Sequence, residues 1–263
     1  MTNDMTPPTS AREVAAALST SSVEEAKLLI ARYAEDPRKQ VQHAIEVAQR
    51  RVEREERERE RVRTMYELQL ELGGDGIVIG VDEVGRGALA GPLTVAAVCL
   101  PRDPKIWGLN DSKQLDARSR ERLASTIKDV AVAVGIAHVD NKTIDRLGMT
   151  ACLRMAMGQA IGETGLVPDK VLIDGNPIGA HPRELCVVKG DARIACISAA
   201  SIVAKVTRDA LMVSYEAEYP EYHLASCKGY GSAEHIAAIR ALGATPLHRL
   251  SFCGNFMETP RLF

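Results

Sequence analysis

At 263 residues the chain can form one large domain or two modest ones. No stretch reaches the roughly 18 uninterrupted apolar residues of a membrane span, and the polar start MTNDMTPPTSAREV lacks the apolar core of an export signal, so a cytoplasmic location is expected. A formal net charge of −2 argues against bulk affinity for phosphate but leaves room for a local basic groove. The six cysteines contain no C-x-x-C pair, which points to buried free thiols rather than a thiolate zinc site.

The first 72 residues read as a helical extension. Ser10 with Glu13, and Ser22 with Glu25, have the spacing at which hydroxyl and carboxylate satisfy each other's amides at a helix start. Val23, Ala26, Leu29, Ile30 and Tyr33 then share one helical face. Asp36-Pro37 breaks the pattern, with Pro37 suited to a first helical position, and Val41, Ala44, Ile45, Ala48 and Val52 form another stripe. The run QRRVEREERERERVR alternates charge sign, and its pairs three and four apart support a solvated helix. A nucleic-acid-binding arm is the sharper reading, but no stripe of one sign favours it. Gly73-Gly74-Asp75-Gly76 closes the helix and separates the extension, 1–72, from a second domain, 73–263.

Strands and helices alternate beyond that boundary. GIVIGV (76–81), LTVAAVCL (93–100) and AVAVGIAHV (131–139) read as strands, with a helix over 116–129 between the last two. A helix is expected over 144–161, strands at KVLI (170–173) and 185–188, and helices over 198–218 and 232–242. Three strands with short links, followed by strands alternating with helices, predict an α/β fold with a mixed five-stranded sheet.

Asp82, Glu83, Asp174 and Asp191 stand where apolar runs end. Acids at the carboxyl ends of buried strands lie in the crevice where open α/β sheets bind ligands. Gathered carboxylates repel one another, and divalent cations relieve that conflict. An all-oxygen set favours magnesium or manganese. Two such ions about 3.5–4 Å apart can activate water and clamp a phosphodiester. Taken singly, each acid is more often a turn or cap residue. Neighbours on a regular strand also point to opposite faces, so Asp82 and Glu83 share a site only if the strand ends or bends there. Gly85 and Gly87 follow at once, with Arg86 between them offering a planar fork for phosphate.

The run GVDEVGRGALAGP closely resembles the signature of ribonuclease HII, the type 2 ribonuclease H family. The likeness continues in order through GLNDSKQL, VLIDGNP, VVKGDARIACISAASIVAKVTRD, KGYGS and HRLSF, from Gly76 to Phe252. It implies an RNase-H-like sheet flanked by helices. It also implies an endonuclease that cuts the RNA strand of RNA–DNA hybrids and incises 5′ to ribonucleotides in duplex DNA, leaving 5′-phosphate and 3′-hydroxyl ends. Asp82, Glu83, Asp174 and Asp191 would then be the catalytic acids holding two Mn²⁺ or Mg²⁺ ions, with Asp191 preferred over Asp209 as the fourth. Gly85, Arg86 and Gly87 would read the ribose 2′-hydroxyl together with Tyr230, since that group separates RNA from DNA. Lys113 would contact phosphate. The implied partners are RNA–DNA hybrids and ribonucleotide-containing duplexes, met by a monomer in replication and excision repair.

Cys227 stands before KGYG where relatives often carry histidine. His248 and Arg249 could reach phosphate or serve structure, and Lys205 could approach the acids. The sister ribonuclease HIII usually lacks the G-R-G loop. A noncatalytic relative would have lost acids that are present here. A sugar-kinase-like ATPase would need phosphate loops that are missing.

Overall fold

The computed structural model describes residues 10–256. The chain forms two compact units that divide after Arg63, inside a continuous 35-residue helix.

The first unit comprises α1 (Ala11–Thr20), α2 (Val23–Arg32) and the first part of α3 (Lys39–Gly73). Both capping boxes form, with Ser10 and Ser22 each accepting from the amide three residues on. Pro37 lies before the start of α3 instead of at its first position. Val14, Leu18, Val41, Ile45 and Ala48 close one small core, and Val23, Ala26 and Val52 another. The charged run is more than a solvated face. Arg51 donates to the Leu18 and Ser21 carbonyls at the end of α1, at 3.1 and 2.9 Å, where a cation also meets the negative end of the helix dipole. Lys27–Glu56 and Arg59–Glu24 pair α2 with α3.

The second unit is built on β1 (Val78–Val84), β2 (Leu93–Cys99), β3 (Ala133–Val139), β4 (Lys170–Asp174) and β5 (Glu184–Val187), in the order β3-β2-β1-β4-β5. β1, β2 and β3 pair antiparallel, whereas β1, β4 and β5 run parallel, which makes the sheet mixed. Between the strands lie α4 (Ala117–Val130), α5 (Asn141–Leu147) and α6 (Met149–Glu163). After them come α7 (Ala195–Tyr215), α8 (Leu224–Cys227), α9 (Ala233–Leu242) and α10 (Leu250–Cys253). The single helix expected over 144–161 is in fact α5 and α6, broken at Gly148. Among the described residues no helix is long and apolar enough to cross a membrane.

Alternation along β1 sorts its side chains. Ile79 and Val81 face α6, joining Leu153, Ala156, Met157 and Ala160 in the main core. Gly80 and Asp82 face α7, which lies so close that a Cβ on Gly80 would come within 2.2 Å of the Cys196 carbonyl carbon. α7 has no side-chain cap of its own; Gln69, in the last turns of α3, accepts from the Cys196 amide at 2.8 Å. A second core of Leu89, Ala90, Met212, Tyr222, Leu224 and Ile239 lies under the loops beyond β1.

Candidate active site

β1 does not stop at Val81, as its apolar run suggested, but continues through Asp82 and Glu83 to Val84. The two acids leave from opposite faces of a regular strand and still meet in one cleft. The reason lies in the pairing. β4 accompanies β1 only as far as Val81↔Ile173, so from Asp82 onward that edge of β1 is open. A cavity of about 390 Å³ occupies the opening, lined by Asp82, Glu83, Lys113, Asp174, Ser201, Lys205 and Tyr230, among others.

Each aspartate is anchored by its backbone surroundings. Asp82 accepts from the Glu83 amide at 2.7 Å, Asp174 from the Gly190 amide at 2.7 Å, and Asp191 from the Ala192 amide at 2.9 Å. The Gly190–Asp174 bond ties the short 3₁₀ turn bearing Asp191 to the end of β4. Ser201 on α7 lies beside Asp82 in the cavity wall and favours its ionised form, and the Ser201 and Ser112 hydroxyls share a 3.0 Å hydrogen bond. Both serines are buried. Sequence reasoning missed these serines. The only signal for Ser201 was a polar residue recurring inside the otherwise apolar ISAASIVAK, and Ser112 stood unmarked in NDSK.

Burial is the main reason Asp82 holds its proton far above the usual carboxylate range, and the neighbouring Glu83 and Asp174 charges add to it. Burial also raises Glu83, and Asp174 raises it further against the opposing pull of Arg86. Asp191 is raised by burial, Asp174 and Asp111, with Lys113 opposing. The Lys113 ammonium lies 3.7 Å from Asp191 and 3.8 Å from Asp111, on a side chain that is 78% exposed. The cluster is short of positive charge. Its donors are all oxygen, without thiolate or imidazole, which suits Mg²⁺ or Mn²⁺ and makes a poor zinc site. Among the described residues no three such side chains already surround one point.

Beyond Val84 the chain turns through Gly85 at φ +88°, where a Cβ would also strike the Arg208 guanidinium at 2.2 Å. The Gly85 amide donates to the Tyr230 hydroxyl at 3.1 Å, joining the G-R-G loop to the K-G-Y-G loop. Arg86 and Gly87 are exposed at the rim, and Arg86 lies 3.7 Å from Glu83. Asp209 is drawn away from the acids into an ion pair with Lys205 at 2.7 Å. Cys227 accepts from the Gly229 amide at 3.3 Å and so serves the turn that carries Tyr230.

His248 is buried and is not among the residues that line the cavity. Its Nδ1 accepts from the Thr245 amide at 2.9 Å, so the ring is protonated at Nε2. That Nε2 donates to His235 Nε2 at 3.0 Å, and His235 Nδ1 in turn donates to the Tyr230 carbonyl at 2.8 Å. Every nitrogen is committed with both rings neutral. Burial lowers both pKa values, and the His235 neighbour helps bring His248 to about 4 from 6.5. The folded pKa lies below the unfolded one, so the unfolded chain binds the extra proton first. Stability is then complete above pH 6.5 and falls as pH drops toward about 4, by on the order of 3 kcal/mol for His248. Urea unfolding of the wild type and His248→Gln between pH 8 and 5 checks this: the wild type should lose more. Parallel curves would refute it.

Comparisons with known proteins agree on one family. The sequence model described as Ribonuclease HII matches residues 79–255, and that described as Ribonuclease HII N-terminal domain matches residues 10–72. The chain is 42% identical over 220 residues to the ribonuclease HII of Listeria monocytogenes serotype 4b (strain F2365), covering 83% of this chain and 84% of that one. Among solved structures it resembles the ribonuclease H2 of Pyrococcus horikoshii OT3, at 28% identity and a TM-score of 0.58, over 68% of this chain and 96% of that one. It also resembles Bst-RNase HIII in complex with Mn²⁺ at the level of fold, at 22% identity and a TM-score of 0.54, over 66% and 64% of the two chains.

Proposed function

The chain belongs to the ribonuclease HII family and is an endoribonuclease of RNA–DNA hybrids; from that premise we propose that it also nicks duplex DNA on the 5′ side of embedded ribonucleotides. One observation carries this reading: the Tyr230 hydroxyl, at the wall of the acid-lined cavity, accepts from the Gly85 amide. With its lone pair engaged there, the phenol proton is left for an oxygen of the ligand. A ribose 2′-hydroxyl offers such an oxygen, and deoxyribose has none.

Asp82, Glu83, Asp174 and Asp191 would hold two Mg²⁺ or Mn²⁺ ions, and the Mn²⁺ complex of Bst-RNase HIII supports that choice of metal. Bound there, the ions would supply the positive charge that lets the four acids ionise together beside a phosphate. Ser201, itself held by Ser112, fixes the orientation of Asp82. Lys113, on a largely exposed stem beside Asp191, reaches for a phosphate oxygen. Water attacks the scissile phosphorus in line and the 3′-oxygen of the nucleotide preceding the ribonucleotide leaves, giving 5′-phosphate and 3′-hydroxyl ends. The 2′-hydroxyl is read and not consumed. Metal-free ribonuclease chemistry would need an imidazole beside it, and among the described residues no histidine lines the cavity. We assign this chemistry to residues 73–263 and give the helices of 1–72 no catalytic part.

A DNA duplex with a single ribonucleotide, incubated with Mn²⁺ or Mg²⁺, should be nicked 5′ to that residue. Tyr230→Ala should lower kcat/KM on it by about 10²-fold, with Tyr230→Phe close behind because the ring remains but the donor is lost. Failure to nick that duplex, or a Tyr230→Ala enzyme that still separates RNA from DNA, would sink the proposal.

A further inference from the structure

Arg208 and Arg249 are the largest fully buried side chains of the described residues, each with no exposed surface. A buried cation ordinarily requires an anion or a full set of hydrogen-bond acceptors. Neither makes an ion pair among the described residues. Both spend their donors on main-chain carbonyls instead. Arg208 donates to Pro92 at 2.8 Å, Lys228 at 2.8 Å and Ala90 at 3.0 Å. Arg249 donates to Gly91 through Nε at 3.1 Å and Nη2 at 2.9 Å, and to Arg86 through Nη1 at 3.1 Å. These carbonyls all belong to the segment after β1 or to the segment carrying Tyr230, which are the two loops proposed to read the ribose.

The Arg249–Arg86 bond has a directional consequence. In a trans peptide the C=O and the following N–H point opposite ways. With the Arg86 carbonyl drawn inward to a buried guanidinium, the Gly87 N–H is turned outward. Gly87 is exposed, a Cβ there would meet nothing within 4 Å, and no described residue accepts from its amide. The Gly85 amide, by contrast, is already spent on Tyr230.

We propose that Arg249 is a positioning residue for ribose recognition: it aims the Gly87 amide at the 2′-hydroxyl oxygen, with Arg208 bracing the adjoining loops. This rests on the reading of the loop given above. Lysine at 249 would keep the charge but could not span Gly91 and Arg86 together, because it lacks the planar fork.

The test measures binding, in an Asp82→Asn background that prevents cleavage, to an all-DNA duplex and to the same duplex with one ribonucleotide. Adding Arg249→Lys should reduce the ribo-over-deoxy affinity ratio about tenfold, the equivalent of one lost hydrogen bond, with all-DNA binding unchanged. If Asp82→Asn alone binds both duplexes equally, the reading of the loop fails and this inference falls with it. If it discriminates and a folded Arg249→Lys protein discriminates equally well, only the role of Arg249 is overturned. Equal weakening on both duplexes would assign the amide to phosphate and likewise overturn it. Should Arg249→Lys not fold, an ester in place of the Gly87 amide, introduced with glycolic acid, removes the donor itself. Retained discrimination in that protein would refute the proposal, and its loss would support it.

Discussion

Asp82→Asn is expected to lower cleavage by about a thousandfold or more while making the metal-free protein more stable. The loss of activity follows from removing one of the four proposed cation ligands, at roughly 4 kcal/mol of charge stabilisation in the transition state. The gain in stability follows from the surroundings of the carboxylate. It is buried, and burial with the Glu83 and Asp174 charges raises its pKa far above the ordinary value. An acid whose folded pKa is raised destabilises the fold increasingly as pH climbs and ionisation is forced. Asparagine keeps the shape and a carbonyl oxygen for the Glu83 amide, and turns a donor toward the remaining acids. A gain on the order of 1 kcal/mol would move Tm by about 2–4 °C for a chain of this size. Thermal scans in EDTA and in Mn²⁺ give the readout. Mn²⁺ should raise the wild-type Tm by linkage and move the variant less. A variant that is less stable in EDTA, yet gains as much as wild type from Mn²⁺, would contradict both the burial argument and the proposed ligand set.

Gly80→Ala should be among the most damaging single methyls in the described fold. Its Cβ would meet the Cys196 carbonyl carbon at 2.2 Å, the Cys196 oxygen at 2.5 Å and the Ile197 nitrogen at 2.5 Å. All three are backbone atoms near the start of α7, so no rotamer change relieves the clash. Either the helix or the strand must shift by about 1 Å, at a cost of about 3 kcal/mol or more. Activity should fall further than stability. Asp82 lies two residues on, on the same face of β1, and its partner Ser201 is about one turn on along α7. A displaced helix therefore separates the two. Urea unfolding with single-turnover cleavage measures both effects; a Gly80→Ala protein with wild-type midpoint and rate would disprove the close packing.

Much of this was legible before any coordinates. Ser10–Glu13 and Ser22–Glu25 announced helix starts because a capping box is completed within four residues. The apolar runs located all five strands, most clearly β1, β2 and β4, whose burial on both faces demands continuous apolar sequence. The ordered motifs from Gly76 to Phe252 pointed to the family that the comparisons bear out. Errors were local where a competing local signal was weak. Gly148 splits what reads as one helix, since a single glycine within an apolar pattern does not show whether it will take the positive φ of 76° that breaks it.

What lay beyond the sequence was decided by contacts between distant segments. Asp82 and Glu83 looked incompatible with one site on an unbroken strand, and they became compatible because β4 ends its pairing at Val81 and leaves the edge of β1 open. The sequence left His248 and Arg249 between a phosphate contact and a structural role and gave no sign of Arg208 or His235, since nothing nearby in sequence shows what would satisfy them. Their partners lie up to 163 positions away, on the loops around Gly85 and Tyr230. Local geometry and hydrophobic period are set by neighbours in sequence, so the chain alone specified most of its elements. Strand register and helix approach arise only when distant segments pack, so the open edge, the serine chain to Asp82 and the buried brace behind the glycine loop belong to the tertiary structure.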